Sequence, residues 1–461
     1  MKLLRFDPSG AIQPEFGVSQ DDLERLYPRL NDCRQTLLDA SHASAAFYLL
    51  PKTMLDAYTQ QREASVMGRI FKVANSQMDL VDSVVIVGAG SSLLGARAMM
   101  EACCDPYHNE LRRGPRGGKP RMYFAGENFD NDATQALLSR VAAGGYGDTT
   151  TEERWALVAI SKSGETLESM IAFRQFLSLL TSSLKRVPGA NLPRFVVPIT
   201  GPSGSLRELG TAIGCEEIFE IPEAISGAFN IFSPAGVLPA AMLSLDVMKF
   251  LEGAIAMNEH FEQTPADKNM VLQFAAVNHL LHVDYGRSLR VMTAWCKALE
   301  AVGSWYANLV VSAFGAMPHS PTPLTVVHSR DWHSRSLQYM HGPHHVVFNQ
   351  LVVEQDRTDP LPIGLSDYDQ DGLNEFASRD LSSILASAVQ DADNALKNHG
   401  QPTTRIILPV IDTFVLGQLF QMLMIATAIE SRLLGLDFNH SSQQTPKTPI
   451  KTRTNELLGR S

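Results

Sequence analysis

The sequence predicts an α/β protein with two doubly wound parallel-sheet units, flanked by helical N-terminal and C-terminal segments. Short apolar, β-branched runs alternate with stretches of helical spacing, and this alternation occurs twice along the 461 residues. Strands that alternate with helices form parallel sheets covered by helices on both faces. The hydrophobic fraction of 44% and the charged fraction of 19% are typical of a globular protein that buries a large core.

The candidate strands are short runs that end in turn or polar residues, which is typical of buried parallel strands. In the first unit they are SVVIV (83–87), RMYFAG (121–126), ALVAIS (156–161) and RFVVPIT (194–200). In the second unit they are SLRVMTA (288–294), PLTVVHS (323–329), HVVFNQLVV (345–353) and TRIILPV (404–410).

These runs predict five regions along the chain. They are an N-terminal helical extension (1–50), the first sheet unit (51–222), connecting helices (223–285), the second sheet unit (286–440) and a polar tail (441–461). Residues 1–80 have mainly helical spacing and no strong strand signal. The apolar stretch from Phe414 to Ile429 is interrupted by Gln418 and Gln421 and falls short of the roughly 20 residues that span a bilayer. It predicts a buried core helix, and we expect no membrane partner.

The net charge and the cysteines bear on the partners and the cellular location to be expected. The formal net charge of −10 argues against a nucleic-acid partner, because such proteins neutralise phosphates with Lys and Arg. The cysteines are odd in number and scattered, which is typical of reduced thiols in a cytoplasmic protein; they are Cys33, Cys103, Cys104, Cys215 and Cys296. The N-terminus MKLLRFDPSG has no apolar signal-peptide core, so we expect a cytoplasmic location.

Two donor-rich loops follow predicted strands of the first unit. Gly88-Ala-Gly-Ser-Ser-Leu-Leu-Gly95 contributes the candidate ligands Gly90, Ser91 and Ser92, and Ser161-Lys-Ser-Gly-Glu-Thr166 contributes Ser161, Lys162, Ser163 and Thr166. Ligands bind beyond the carboxyl ends of parallel strands, and helix N-termini attract phosphate. The alternatives are a tight packing turn for the first loop and a Ser/Thr helix cap for the second.

The first loop does not match a dinucleotide fingerprint. That fingerprint needs glycine where this chain has Leu93, and an acidic residue where the next strand ends in Ala125-Gly126. His341, His344 and His345 could suggest a metal, but Gly342 and Pro343 between them favour a turn. We therefore expect no cofactor and no metal.

The loops resemble those of the sugar-isomerase (SIS) domain, a flavodoxin-like fold, and a longer set of collinear segments resembles the bacterial type of the phosphoglucose isomerase family. The segments include SSLLGARAMMEA, AISKSGETLESMIAFR, IPEAISGAFNIFSPAGVLPAAMLSLD, EAVGSWYANL, TPLTVVHSRDWHSRSLQ and LLGLDF, within about residues 45–447. The resemblance implies interconversion of glucose 6-phosphate and fructose 6-phosphate, as in glycolysis and gluconeogenesis, by a homodimer that binds a small sugar phosphate.

The resemblance also implies roles for individual residues. Ser92, Ser161, Ser163 and Thr166 fall on the family's phosphate ligands, with Lys162 beside them. His333, in RDWHSR, falls on the histidine that opens the sugar ring, and Lys447 falls on the active-site lysine near the C-terminus. Without the resemblance, His333 would be read as a polar loop residue and Lys447 as a solvated tail lysine.

Three departures from the family pattern predict reduced or altered activity. Ala228 stands where the family carries an arginine, and Ser312 stands where it carries the carboxylate that moves the proton. Asn439-His-Ser-Ser-Gln-Gln444 replaces the acidic segment that precedes the family's lysine. No Asp or Glu occurs between Glu300 and Asp331, so a small shift of alignment does not restore the carboxylate. Candidate replacements are Glu165, Glu168 and Asp331.

Three functions remain open from the sequence. The first is an isomerase of glucose 6-phosphate that uses a non-standard base. The second is a regulatory protein that binds a sugar phosphate without catalysis, and the third is an isomerase of another phosphorylated sugar. Binding without turnover would identify the second, and a panel of substrates would identify the third.

Overall fold

The computed structural model describes residues 2–13, 15–39, 46–142, 154–185 and 191–436. The described chain forms two compact units. The first-sheet unit lies within Ala40–Ile255, and the second-sheet unit combines Met1–Asp39 with Ala256–Leu436. The segment 223–285, expected to connect the units, is divided between them, and the other boundaries drawn from the sequence stay predictions.

The first-sheet unit confirms all four predicted strands. With strands numbered along the whole chain, they are β2 (Ser83–Val87), β3 (Arg121–Ala125), β4 (Trp155–Ser161) and β5 (Val196–Thr200), and a short β6 (Phe219–Glu220) follows. The order is β3-β2-β4-β5-β6, and every neighbouring pair is parallel. The chain builds outward in opposite directions from β2 and β4, which makes this pair the switch point of a doubly wound, flavodoxin-like sheet.

Helices connect these strands and complete the unit. They are α2 (Ala46–Gln61), α3 (Val66–Leu80), α4 (Ser91–Cys103), α5 (Asn131–Ala142), α6 (Leu167–Leu184), α7 (Ser205–Ile213) and α8 (Pro234–Met242). α9 (Val247–Gln263) runs across the boundary at Ile255. α8 is buried along its whole length and packs against α3 and α4. Its apolar sequence therefore reflects a position in the core.

The second-sheet unit contains β1 (Arg5–Asp7), β7 (Leu289–Ala294), β8 (Thr322–Val327), β9 (Val346–Val353) and β10 (Thr403–Leu408). The order is β1-β10-β9-β7-β8, with β1 antiparallel to β10 and the other pairs parallel. The four predicted strands are confirmed. Residues 1–80, expected to be mainly helical, also contain the three-residue β1, which has no strand pattern of its own and forms by pairing with β10.

The helices of this unit surround a buried core helix. They are α1 (Gln20–Leu38), α10 (Met270–Val283), α11 (Glu300–Phe314), α12 (Arg330–His341), α13 (Leu381–Asn398) and α14 (Thr413–Leu433). α14 is long and apolar enough to cross a membrane, but 94% of its most apolar window is buried inside the protein, against α1, α10 and α11. The prediction of a core helix for this stretch is confirmed.

A buried ion pair links the second sheet to this core helix. Arg290 of β7 donates to both carboxylate oxygens of Glu430 on α14, at 2.9 and 2.6 Å, and the side chains are 1% and 3% exposed. Burial acts to lower the pKa of Arg290, but Glu430 outweighs it and holds that pKa above its ordinary value. The two charges thus neutralise each other. Because both side chains are buried, water could not solvate either charge if its partner were removed.

Replacing Glu430 with Gln is expected to destabilise the protein by about 3–5 kcal/mol, because the Arg290 charge stays buried without a counter-charge. Denaturant unfolding of the purified variant measures the change. The matched control is Lys2→Gln, which removes one exposed partner of Glu354 at 3.2 Å and is expected to cost less than about 1 kcal/mol. Equal losses in the two variants would contradict the special role of the buried pair.

Candidate functional site

The first donor-rich loop joins β2 to α4. Gly90 precedes the helix with φ 52° and ψ −128°, a backbone conformation that only glycine adopts readily. Its carbonyl accepts hydrogen bonds from the amides of Leu93 and Leu94 at 3.0 and 3.1 Å. No side chain caps this helix N-terminus, and Ser91 and Ser92 are half-buried in its first turn. The loop therefore presents two hydroxyls at a positive helix end, which favours an anion.

The second loop joins β4 to α6 and is shaped by its own hydroxyls. The buried Ser161 Oγ accepts from the Gly164 amide at 3.1 Å, and the Ser163 Oγ accepts from the Glu165 amide at 3.2 Å. Thr166 precedes α6 and makes no capping hydrogen bond with its side chain. Ser163 and Thr166 are exposed, so both hydroxyls are accessible to a ligand. Ser161 mainly holds the loop in its conformation.

The parallel register brings the two loops together. Val87, the last residue of β2, pairs with Ala159 near the end of β4. A Cβ atom on Gly88 would lie 2.9 Å from the carbonyl oxygen of Ile160, so glycine is required for this approach. Both loops therefore begin side by side at the switch point, where doubly wound sheets bind their ligands.

A third segment, residues 222–230, closes on both loops. The Lys162 ammonium donates to the carbonyl oxygens of Glu223 and Ile225, each at 2.7 Å. A Cβ atom on Gly227 would lie 2.8 Å from the Ser91 Oγ, so the segment also lies against the first loop. Sequence reasoning missed this role of Lys162, because its partners are backbone carbonyls about 60 residues later and leave no side-chain signal.

Ala228 lies in this third segment, in a short 3₁₀ turn from Gly227 to Phe229. It is 4% exposed, and the ring of the adjacent Phe229 packs on Phe47 at 4.8 Å between centroids. The position that the sequence resemblance matches to an arginine of the family therefore holds a small, buried, uncharged side chain, and the match itself stays a prediction. Lys162 supplies the positive charge beside the segment, and burial lowers the pKa of its ammonium while Glu223 acts in the opposite direction.

The second-sheet unit holds the other candidate residues. His333 is exposed in the first turn of α12, and Ser312 is half-buried in the last turn of α11. Asp331 accepts from the Val327 amide at 2.8 Å and pairs with Arg330 at 2.8 Å. The hydrogen bond from Arg330 is the main cause that lowers the pKa of Asp331 to about 2. Asp331 is thus an anchor between β8 and α12, which makes it a poor replacement base.

Two sequence features cannot be placed on this geometry. Lys447 and the segment 439–444 lie outside the described residues, so Lys447 stays a prediction.

Of the other replacement carboxylates, Glu165 is exposed in the second loop and Glu168 is half-buried in the first turn of α6. Within the described ranges, no group of three or more His, Cys, Asp or Glu side chains could hold a metal ion.

His328 was not singled out from the sequence and lies at the carboxyl end of β8. It is 3% exposed, and neither ring nitrogen has a hydrogen-bond partner among the described residues. The rings of Trp295 and Trp332 enclose it edge-on, at 4.9 and 5.2 Å between centroids. Burial lowers the pKa of His328 to about 4, with Asp331 acting in the opposite direction. This neutral histidine supports the start of the helix that carries His333.

A doubly wound sheet with two hydroxyl-rich loops at its switch point defines a class of α/β proteins suited to phosphorylated ligands. A family model described as phosphoglucose isomerase matches residues 72–316, which is more than half of the chain. The chain belongs to the phosphoglucose isomerase family.

Curated relatives resemble the chain over nearly its whole length. A glucose-6-phosphate isomerase of Rubrobacter xylanophilus is 29% identical, over 94% of this chain and 93% of the relative. A glucose-6-phosphate isomerase of Alkaliphilus metalliredigens is 28% identical, over 95% of this chain and 92% of the relative. The resemblance drawn from the sequence motifs is confirmed.

Solved structures agree on the fold. A hypothetical protein from Thermus thermophilus superposes with a TM-score of 0.79 at 22% identity, covering 99% of this chain and 100% of that chain. A glucose-6-phosphate isomerase from Chlamydia trachomatis superposes with a TM-score of 0.74 at 16% identity, covering 98% and 92%. At these identities the similarity establishes the fold alone.

Replacing Lys162 with Met is expected to loosen residues 223–229 in the ligand-free protein. Hydrogen bonds from a charged donor contribute about 1.5–3 kcal/mol, so amide hydrogen exchange in the segment should rise roughly tenfold to a hundredfold. Mass spectrometry of deuterium uptake measures this. Lys185→Met, at an exposed position after α6, is the control and should leave the segment unchanged. Unchanged uptake in both variants would show that Lys162 does not hold the segment.

Acidification is expected to destabilise the protein through His328. The unfolded chain takes up a proton near pH 6.5, whereas the folded protein resists it down to about pH 4. Stability is therefore lost as the pH falls through this window, by about 2–3 kcal/mol. The His328→Phe variant should lack this decrease in the free energy of unfolding. The difference in stability between the variant and the original protein should therefore shift in favour of the variant as the pH falls from 6.5 to 4. Denaturant unfolding measures the stability of both proteins over this pH range. If both lose stability equally, the acid destabilisation does not come from His328.

Proposed function

We propose that this protein is an aldose–ketose isomerase of a phosphorylated hexose, converting glucose 6-phosphate to fructose 6-phosphate at a reduced rate. The observation that carries the proposal is the meeting of three segments at one switch point. Two of them bring hydroxyls and uncapped helix N-termini, and Lys162 ties the third to them. The glucose-6-phosphate isomerases to which the chain is similar support the choice of substrate.

In this proposal the loops of the first sheet hold the phosphate group. Ser92, Ser163 and Thr166 donate hydroxyl hydrogen bonds, and the first turns of α4 and α6 add amide donors and the positive ends of two helix dipoles. Phosphate is the non-reacting end of the substrate, so binding there does not depend on the residues that move protons. Affinity for the sugar phosphate should therefore survive the changes at Ala228 and Ser312.

The chemistry requires groups that this chain supplies only in part. His333 would act as the acid and base that opens the ring, with Lys447 as a second candidate from the C-terminal segment. A base must then take the proton from C2 and return it to C1 of the enediolate. Ser312 offers a hydroxyl instead of a carboxylate, and Ala228 cannot stabilise the developing negative charge. Loss of such groups accounts for a reduced rate.

A second candidate function is a regulatory protein that binds a sugar phosphate without catalysis. The uncharged side chains at Ala228 and Ser312 favour it, because they remove the proton carrier and the cation while leaving the phosphate loops intact. We further propose a cytoplasmic homodimer, as the family resemblance implies. An isomerase of another phosphorylated sugar would share the phosphate site and differ in the groups around the sugar ring.

The test is deuterium exchange at C2 of glucose 6-phosphate in heavy water, followed by proton NMR at high protein concentration. A slow isomerase is expected to incorporate deuterium above the level of a heat-killed sample. Restoring the carboxylate with Ser312→Glu should raise the exchange rate by about 10²-fold or more, since general-base catalysis contributes roughly 10²–10⁴. Ser312→Gln matches the size without the charge and should give no increase.

The outcomes separate the candidates. Exchange by the unaltered protein supports the isomerase, and the enhancement in Ser312→Glu identifies the position of the missing base. Bound-state line broadening of the sugar phosphate without any exchange would instead support the binding protein. The absence of both binding and exchange would reject glucose 6-phosphate as the ligand and leave a panel of other phosphorylated sugars to be tested.

A further inference from the structure

A third loop lies against the second donor-rich loop, on the side away from the first. It is Gly201-Pro-Ser-Gly-Ser205, which follows β5 and leads into α7. In the first sheet β4 lies between β2 and β5. The second donor-rich loop, which follows β4, therefore has the first loop on one side and this loop on the other. We refer to residues 201–205 as the supporting loop.

Two hydrogen bonds join the supporting loop to carbonyl groups of the second donor-rich loop. The Gly201 amide donates to the Lys162 carbonyl oxygen at 3.0 Å. The Ser205 hydroxyl donates to the Gly164 carbonyl oxygen at 2.5 Å. The bond from Ser205 is the one that depends on a side chain, so it can be removed by substitution.

Two glycines of the supporting loop allow the loops to approach this closely. A Cβ atom on Gly201 would lie 2.7 Å from the Lys162 carbonyl oxygen, and one on Gly204 would lie 2.6 Å from the Ser163 carbonyl oxygen. Both distances are shorter than Cβ atoms tolerate. Gly204 also has φ 112°, which residues with a Cβ rarely adopt. The supporting loop is thus shaped to lie against carbonyl oxygens of the second donor-rich loop.

The direction of these carbonyls decides the direction of the neighbouring amides. In a planar trans peptide the C=O and N–H bonds point to opposite sides. Because the carbonyls of Lys162 and Gly164 point to the supporting loop, the amides of Ser163 and Glu165 point away from it. The Ser163 hydroxyl lies on that side too, since it accepts from the Glu165 amide at 3.2 Å. An anion site needs this arrangement, with donors facing the anion and carbonyl oxygens turned away.

The supporting loop is itself held in place. Arg207, in the first turn of α7, donates to the Gly201 carbonyl oxygen at 3.0 Å and to the Glu220 carboxylate at 2.8 Å. The strand before the loop, β5, is buried along its whole length. A hydroxyl on a loop fixed in this way can hold its acceptor in one orientation before a ligand arrives.

We propose that Ser205 is a positioning residue for phosphate binding. Its hydroxyl holds the Gly164 carbonyl away from the site, and the donors of the second donor-rich loop are thereby presented to the phosphate group of the ligand. Ser205 acts through the backbone of that loop and does not contact the ligand. The inference rests on the phosphate site of the proposed function and adds to it a residue outside the two donor-rich loops.

The experiment measures the binding of inorganic phosphate to the full-length protein by titration followed with phosphorus NMR. In Ser205→Ala the phosphate Kd should rise about threefold to tenfold, which corresponds to the net contribution of one hydrogen bond. Ser205→Thr keeps the hydroxyl and should restore the Kd of the unaltered protein. Ser182→Ala is the matched control, because it removes an exposed hydroxyl that donates to the Ser178 carbonyl at 2.9 Å within α6. It should leave Kd unchanged.

A second pair of variants tests the close approach of the loops. Gly204→Ala places a Cβ atom against the Ser163 carbonyl oxygen and should raise the phosphate Kd more than Ser205→Ala does. Gly214→Ala is its control, since Gly214 also has a positive φ, 78°, but a Cβ atom there would meet only Pro193, at 3.9 Å. The control should lower the free energy of unfolding without changing Kd.

Amide hydrogen exchange in the ligand-free protein separates positioning from direct contact. In Ser205→Ala the uptake of deuterium within residues 162–166 should rise, because the loop loses a bond that holds it closed. Unchanged uptake with a weaker phosphate affinity would assign Ser205 to the ligand itself and overturn the inference. An unchanged phosphate Kd in Ser205→Ala would overturn it as well, while leaving the phosphate site intact.

The same measurements keep this inference apart from the proposed function. If the unaltered protein binds no phosphate, the phosphate site and the role of Ser205 are rejected together. If phosphate binds and the variants behave as expected, but deuterium does not enter C2 of glucose 6-phosphate, the role of Ser205 is supported and the isomerase alone is rejected.

Discussion

The parallel pairing of β2 with β4 is the constraint on which the rest of the candidate site depends. Strands on either side of this pair are added in opposite directions, so the connections that leave β2 and β4 cross to opposite faces and open a crevice between them. The close approach at Gly88 then brings the loops into one place. Hydroxyls from segments about 70 residues apart in the chain thereby become neighbours at two helix N-termini.

The third segment is held to the second loop by a cation, Lys162. Lys162 uses two of its three donors on backbone carbonyls and still places a positive charge beside the loops. The segment it holds carries Ala228, which is small, buried and uncharged. In the function proposed above, phosphate binding and proton transfer rest on different side chains, so a change at Ala228 would affect the second more than the first.

The second-sheet unit buries ionisable side chains within its apolar core. Arg290 and Glu430 neutralise each other between β7 and α14, while His328 stays neutral in an aromatic enclosure. Arg290 remains charged because the Glu430 carboxylate pairs with it. His328 has no hydrogen-bond partner for either ring nitrogen among the described residues, so burial favours its neutral form. Residues 361–384 of the same unit differ again, since part of their backbone is hydrogen-bonded within the segment while Leu365 and Tyr368 remain exposed.

The sequence by itself determined the eight main strands, the doubly wound class, the core helix and the two donor-rich loops, because each of these has a local pattern of apolar periodicity or turn chemistry. It also predicted the exchanges at Ala228 and Ser312, because the resemblance matches single positions of the sequence. Only the tertiary structure decided that β1 pairs with β10, that Lys162 holds carbonyls of a distant segment, and that Asp331 is already engaged. These contacts join residues far apart in the chain, and several are made by backbone atoms. Because backbone atoms are nearly the same in every residue, such contacts leave no pattern in the sequence.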